Sequence, residues 1–213
     1  MSGWALFSMG SGLPQAVGIL RAPNSKIVLA KRLAHLQKDI ESLFSTLNLK
    51  SGDMCICEGP AQLTRNPMSS LKLERVRGIF ETVARHRSVL VPGRINPRTI
   101  QAELLGMSGK QVSRIIVKES AREVVRRLYR DILPVLAERC LTKRHIKKIP
   151  QDIIDALLLG ALAVPRLQFC IKSGVDVHTA FLPRYQFRRT TPRRRVTGGW
   201  RQLTTSSSNR KLC

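Results

Sequence analysis

Apolar side chains recur along this chain at recognisable spacings. From Ile27 to Leu47 they fall three and four apart, at Leu29, Leu33, Leu36, Ile40, Leu43 and Leu47, with Lys31, Arg32, Lys38, Asp39 and Glu41 mostly between them. That period predicts an amphipathic helix, and Ser51-Gly52-Asp53 closes the unit. Gly3 to Phe7 and Ala16 to Leu20 read as strands joined by a turn over Gly10 to Pro14, a hairpin. Met54-Cys55-Ile56-Cys57 is continuously apolar, as expected of a buried sheet strand. A basic loop with Arg65 and Pro67 leads to a helix over Ser70 to Arg87, and Ser88 to Val91 reads as another strand. Asn96-Pro97 opens a short helix to Leu105, since proline is tolerated in a first turn. A long basic helix follows over Lys110 to Arg130. Pro134 and Pro150 break the pattern, and an apolar helix runs from Gln151 to about Val164. Strands alternating with helices indicate an α/β sandwich.

Charge narrows the partners. Lysine and arginine total 37 against 14 acidic residues in 213, a formal net charge of +23. Such a surface repels itself unless an anion neutralises it, and nucleic acid does so with release of condensed counterions. No run of about 18 apolar residues is read in the sequence, so a membrane is not expected as partner. The five cysteines, Cys55, Cys57, Cys140, Cys170 and Cys213, are odd in number and irregularly spaced. That pattern argues against a disulfide framework and for a reducing compartment. The stretch from Trp4 to Leu20 lacks a basic leading region and is interrupted by Gly10, Gly12 and Pro14, so no signal peptide is read there. Val177 to Cys213 contains no acidic residue; Tyr185 and Phe187 lie among its clustered arginines. The expectation is a basic, mostly disordered tail.

The chemistry-bearing residues are few. Asp152 and Asp155 lie three apart at the start of the apolar helix, so both carboxylates share one side. Two like charges beside a core are costly unless a cation neutralises them, and a divalent metal suits close oxygen ligands. The alternative is that acids in a first turn simply favour the helix dipole. Glu58 ends a strand at the edge where α/β sheets gather ligands, followed by the sharp exit Gly59-Pro60; a solvated strand-end glutamate is the plainer reading. Arg65, Lys72, Arg75 and Arg77 would form a basic wall beside it, or an ordinary solvated helix face. Lys110 stands at a helix start, where a cation opposes the dipole and implies a nearby anion such as phosphate. Cys55 and Cys57 lack the second pair that a zinc site needs. His35, His86, His145 and His178 show no ligand spacing.

The order of these pieces resembles the RuvC family of Holliday junction resolvases, within the RNase H-like superfamily. The matching segments are Ser2-Gly3-Trp4-Ala5-Leu6-Phe7, the amphipathic helix, Ile56-Cys57-Glu58, Leu71-Lys72-Leu73 with Arg77-Gly78, Gly106 to Val112, and Asp152-Ile-Ile-Asp155-Ala-Leu. They span roughly residues 2 to 165. The resemblance implies an RNase H-like mixed sheet flanked by helices over residues 1–170, with residues 177–213 as an appended basic tail. It implies Glu58, Asp152 and Asp155 as ligands of Mg²⁺ or Mn²⁺ and Lys110 near the scissile phosphate. Leu63, Arg65, Lys72, Arg75, Arg77 and Arg114 would contact DNA, joined by Arg188, Arg189, Arg193, Arg194 and Arg195 of the tail. The implied activity is structure-selective cleavage of four-way or other branched DNA by in-line attack of water, carried out by a homodimer. In a bacterium it would act in the cytoplasm at the nucleoid. The family's aromatic wedge is missing from the loop around Leu63. Its first strand also ends in an aspartate a few residues ahead of the Gly-Trp position, where this sequence has Met1. The expectation is therefore a site one carboxylate short, which binds DNA and cuts it poorly or not at all. The alternative is a non-catalytic nucleic-acid-binding protein on the same fold.

Overall fold

The structure, a computed structural model, describes residues 1–24, 26–60, 67–107, 112–142, 145 and 149–182. It is a mixed α/β arrangement. Strands β1 (Ser2–Phe7) and β2 (Pro14–Leu20) form an antiparallel hairpin, with Gly3 opposite Ile19 and Ala5 opposite Val17. Helix α1 (Leu29–Thr46) follows, and Asn48 beyond its end adopts a left-handed conformation, φ 52°. Strand β3 (Cys57–Glu58) pairs in parallel with β4 (Arg94–Ile95), across helix α2 (Pro67–His86). Then come α3 (Pro97–Glu103), α4 (Arg114–Leu128), α5 (Leu133–Cys140), α6 (Gln151–Lys172) and a 3₁₀ turn at Val177–Phe181.

Two apolar clusters make the core. One gathers Val17, Ile95, Val125, Ile153, Leu157 and Leu167 around α6; the other gathers Leu36, Ile40, Phe44, Val83, Ala84 and Val89 around α1 and α2. The β3 segment lies between them: Ile56 packs on the first cluster and Cys55 on the second. This is the two-sided burial that its unbroken apolar run implied.

Several boundaries differ from the sequence reading, each for a local reason. Helix α2 begins at Pro67, ahead of Ser70. The run at Met54 meets its partner through a single parallel bridge, Met54 to Leu90, before β3 proper. The expected strand at Ser88 to Val91 contributes only that bridge, and the paired residues are Arg94 and Ile95. Three steps separate Met54 from Cys57 whereas four separate Leu90 from Arg94, so one extra residue interrupts the ladder. It falls in Val91-Pro92-Gly93, where Pro92 has no N–H to offer. Pro134 does not break the chain but sits in the first turn of α5, where a missing N–H costs nothing. Pro165 does not end α6 either. The helix runs on to Lys172, with Leu162, Ala163, Val164, Leu167 and Cys170 buried around the proline. By length and composition alone α6 could cross a membrane, contrary to the absence of such a stretch read above. Half of its apolar window is buried inside the protein, which is the state of a core helix. The described part of α4 starts at Arg114; Lys110 and residues 108–111 lie outside the described residues. The segment assigned to the tail is structured at its beginning: Val177–Phe181 folds back, Phe181 is buried against Gly93, and the His178 ring Nδ1 lies 2.9 Å from the Pro92 carbonyl oxygen. Residues 183–213 lie outside the described residues.

The placement of α6 decides the rest. Strand β1 runs along it in the same direction. A Cβ at Gly3 would overlap the Asp152 carbonyl, and one at Gly160 would overlap the Phe7 ring. Beyond the strand, the Gln168 amide donates to the Met9 carbonyl at 2.7 Å. The dimensions match: residues 3 to 7 of a strand cover about 13 Å, and residues 152 to 160 of a helix about 12 Å. Glycine at both places allows an approach closer than any side chain permits.

Gly160→Ala should therefore lower stability by roughly 1–3 kcal/mol through overpacking. In an unobstructed helix the same change gains up to ~1 kcal/mol. Gly78→Ala in α2, where a Cβ meets nothing within 4 Å, should show that gain. Urea unfolding of both variants checks the contrast; a Gly160→Ala midpoint at or above wild type would mean that β1 does not sit there.

Candidate acidic site and its basic surround

Glu58 ends β3, and the chain leaving it is held firmly. The Gly59 amide donates to the Ile95 carbonyl at 2.7 Å. The Gly59 carbonyl accepts from Arg77 Nη2 at 3.0 Å, and the Pro60 carbonyl accepts from Asn96 Nδ2 at 3.0 Å. Asn96 is buried and also caps α3, accepting from the Arg98 amide at 2.8 Å. Arg77 donates at 2.6 Å to Glu74, whose other oxygen accepts from Arg94 at 2.6 Å; Arg94 in turn donates to Glu81. Burial opposes ionisation of Glu74, but its hydrogen bonds to Arg94 and Arg77 and their charges outweigh that and keep its pKa below the usual range. This chain of ion pairs locks the exit of β3 to α2.

The facing wall is the first turn of α6. Ile153, Ile154, Leu157 and Leu158 bury the other sides of the helix and leave Asp152 and Asp155 on the outward side. No side chain caps this helix, so Asp152 also serves the dipole of its first turn. Asp155 Oδ1 accepts from Gln151 Nε2 at 2.9 Å.

Glu58 and Asp155 keep solvent contact at their outer edges yet are closely flanked by protein. Desolvation raises the Glu58 pKa, the negative charge of Asp155 raises it further, and Arg77 pulls it down. Desolvation likewise raises Asp155. Its bond to Gln151 lowers it, Asp152 raises it, and Lys118 and Arg122 lower it. Asp155 is thus the common member of two repelling carboxylate pairs, one with Glu58 and one with Asp152. Close by, Gln151 Oε1 and Arg122 Nε are buried and have no hydrogen-bond partner among the described residues. Buried polar atoms left in this state mark places where water, an ion or a ligand belongs.

These residues suit a hard divalent cation in donor chemistry: carboxylate oxygens that repel one another, an unpartnered amide oxygen, and flanking cations able to meet a phosphate. The three acids do not close into a ready-made ligand cluster. Among the described residues no group of three histidine, cysteine, aspartate or glutamate side chains is placed to hold a metal. Mg²⁺ commonly takes one or two carboxylates and fills its remaining positions with water and substrate phosphate, so the Glu58–Asp155 pair is the part that fits.

Of the expected DNA contacts, Lys72 and Arg75 are exposed on α2, and Arg114 is exposed at the start of α4. Arg77 is different: its side chain is 12% exposed and is engaged with Gly59 and Glu74, so it positions the exit from β3. Leu63, Arg65, Lys110, Arg188, Arg189, Arg193, Arg194 and Arg195 lie outside the described residues. The sequence reading missed Gln151, Asn96, Lys118 and Arg122. A signal for the last two existed, because Arg114, Lys118, Arg122, Arg126 and Arg130 recur at every fourth position. That spacing lays a ridge of cations along α4 and just past its end at about 6 Å per step, passing Asp155 at Lys118 and Arg122. An open groove of about 600 Å³ between α4 and α5 lies apart from the acids, lined by Arg126, Arg127, Arg130, Leu133 and Ala137 among others.

No family model and no curated protein matches this chain. Among solved structures it is similar to T. thermophilus RuvC in complex with a Holliday junction substrate, at 13% identity and a TM-score of 0.47, covering 70% of this chain and 74% of that one. It is similar also to the Thermus thermophilus RuvC structure, at 13% identity and a TM-score of 0.47, covering 76% of this chain and 80% of that one. Likeness at this distance carries no argument about activity; the site has to be judged on its own geometry.

The raised carboxyls fix a sign. The folded chain holds these protons more tightly than the unfolded chain. Their contribution to stability is therefore complete below the ordinary carboxylate range and is lost as pH rises through the raised values. Asp155→Asn keeps an oxygen for Gln151 and removes the charge. It should raise Tm near neutral pH by roughly 1–3 °C, with the difference vanishing below about pH 4. Thermal melts across pH check this; a variant less stable than wild type at neutral pH would show that Asp155 is not electrostatically strained.

Proposed function

We propose that this protein binds branched DNA and hydrolyses its phosphodiester backbone with Mg²⁺ or Mn²⁺, in the manner of a RuvC-type resolvase. The observation that carries the reading is that Glu58 and Asp155, on different elements, are both raised by burial and by a neighbouring carboxylate, Asp155 for Glu58 and Asp152 for Asp155, with Lys118 and Arg122 close to Asp155. Carboxylates raised by burial and by a neighbouring negative charge, and only partly relieved by Arg77, Gln151, Lys118 and Arg122, are an arrangement suited to a cation. A divalent ion would supply Lewis acidity for water attack on phosphorus. The chain's own part is to hold the acids by the Arg77 and Asn96 clamps. It also lays a phosphate strand along Lys72, Arg75, Arg114, Lys118 and the α4 ridge. Preference for four-way DNA follows from the resemblance in motif order, and a homodimer would present the two sites that two symmetric cuts need. Lys110 and the tail arginines extend the same proposal.

A second reading has its own observation. The three acids do not gather into one ligand group, which favours a protein that binds branched DNA without cutting it. One experiment separates the two. The full chain is incubated with a mobile four-way junction and Mg²⁺ or Mn²⁺. Slow cleavage is expected, and Glu58→Gln and Asp155→Asn should reduce it by at least roughly 10–100-fold, the loss that even an outer-shell partner of a metal ligand brings, with binding retained. Mg²⁺ should also raise the Tm of wild type and not that of Asp155→Asn. Binding with no cleavage in either metal selects the second reading.

Affinity for the junction should fall linearly on a log–log salt plot, with a slope of about −0.9 for each phosphate neutralised. Truncation after Leu182 spares the buried Phe181 and should flatten that slope. An unchanged slope would mean that residues 183–213 do not engage DNA.

A further inference from the structure

Gln151 brings a side-chain amide to the acidic site. Its Nε2 donates to Asp155 Oδ1 at 2.9 Å. Residues four apart on a helix stand one above the other on a single face, so the two side chains meet without any bend in α6. On a protein surface such a pair merely supports its helix. Gln37 and Glu41 on α1 are a pair of that kind, with the same spacing in sequence and with Gln37 Nε2 also 2.9 Å from its carboxylate. The two pairs differ at the other end of the amide. Gln37 is exposed, so water reaches its oxygen. Gln151 Oε1 is buried and has no hydrogen-bond partner among the described residues. Burying an acceptor unpaired is a cost that helix support does not require.

The orientation of the amide follows from its neighbour. An ionised carboxylate only accepts, so the amino end faces Asp155 and the oxygen turns inward. A cation on Asp155 reverses that preference, because it attracts the amide oxygen and repels the amino group. The terminal torsion of glutamine is broad and two-fold, so the exchange needs no movement of the backbone. Both orientations leave one end of the amide buried, and the partner at Asp155 therefore decides between them. The distance also suits an ion. Mg²⁺ holds oxygens at about 2.0–2.1 Å in a near-ideal octahedron, which puts adjacent corners about 2.9 Å apart. Gln151 Nε2 and Asp155 Oδ1 already stand at that separation. The acids do not close into a ligand group by themselves, and an amide oxygen is a ligand of the same hard class that adds no charge.

We propose that Gln151 is a neutral ligand of a divalent cation held at Asp155, its amide turning over from hydrogen-bond donor in the free protein to oxygen ligand in the loaded one. This rests on the reading of the acids as a cation site, and it names the ligand that joins them and the movement that brings it there.

The test is binding of Mn²⁺ to the full chain without DNA, followed by electron spin echo measurements in D₂O, which count the water molecules on the bound ion. Wild type should bind Mn²⁺, and Asp155→Asn should lose most of that binding. Gln151→Ala should bind at least roughly 10-fold more weakly and carry one more water on the ion, since water fills the position the amide leaves. Gln37→Ala, which removes the matching amide from α1, should bind as wild type does. Gln151→Met, close in volume and without either polar end, gives the same comparison should Gln151→Ala fail to fold. The water count separates ligation from support, because a residue that only orients Asp155 changes affinity and not the number of waters. A count equal to wild type, or unchanged affinity, would overturn the proposal and leave the cation reading standing. Equal binding by wild type and Asp155→Asn would overturn that reading and the proposal with it.

Discussion

Everything in this molecule leans on the seating of β1 along α6. Gly3 admits the Asp152 carbonyl and Gly160 admits the Phe7 ring, so strand and helix touch backbone to side chain without an intervening layer. A helix as apolar as α6 must be covered. The hairpin covers one flank, and α4, α3 and the 3₁₀ turn cover the others. The polar end of α6 is what remains outside, and it carries the acids. The core therefore orients the site: the same rotation that buries Ile153, Ile154, Leu157 and Leu158 turns Asp152 and Asp155 outward.

The acidic site illustrates a tension between stability and use. Glu58 and Asp155 are held where burial disfavours their charge and a neighbouring carboxylate, Asp155 for Glu58 and Asp152 for Asp155, disfavours it further. The clamps that hold them, Arg77 on the Gly59 carbonyl and Asn96 on the Pro60 carbonyl, prevent Glu58 from relaxing away. An ordinary surface would let such carboxylates diverge into water. Rigid support for groups that repel one another is the pattern of a site built around something that arrives later.

The sequence made some of this readable and hid the rest. The hairpin, α1 and the opening of α3 at Asn96-Pro97 were visible because period and a first-turn proline are local properties. The Asp152–Asp155 pair was visible for the same reason, since three residues on a helix settle a shared side. Proline accounts for one difference, and the reach of the apolar helix, which reads as ending near Val164 and runs on to Lys172, for another. Pro134 was taken as a break although a first turn accepts it, and Pro165 lies inside a helix whose packing outweighs its lost hydrogen bond. Arg77 reads as one cation among several, and only the long-range approach of Gly59 shows that it is a clamp. The β3–β4 pairing could not be placed from Met54 and Ser88 because the extra residue at Val91-Pro92-Gly93 shifts the register, and register belongs to two strands together. Phe181 was assigned to the tail because composition alone does not reveal the space left open by Gly93.

The hairpin and the β3–β4 pair share no ladder hydrogen bond among the described residues. In most open sheets a continuous ladder makes the strands exchange and unfold as one. Here the two pairs of strands are joined by side-chain packing, Leu20 of the hairpin on the α1–α2 cluster and Ile56 and Ile95 on the α6 cluster. Asp155 is carried by α6, and Glu58 by the strand clamped to α2. The spacing of the acidic pair is therefore set by packed side chains and not by a shared ladder, so a change of volume in either cluster reaches it.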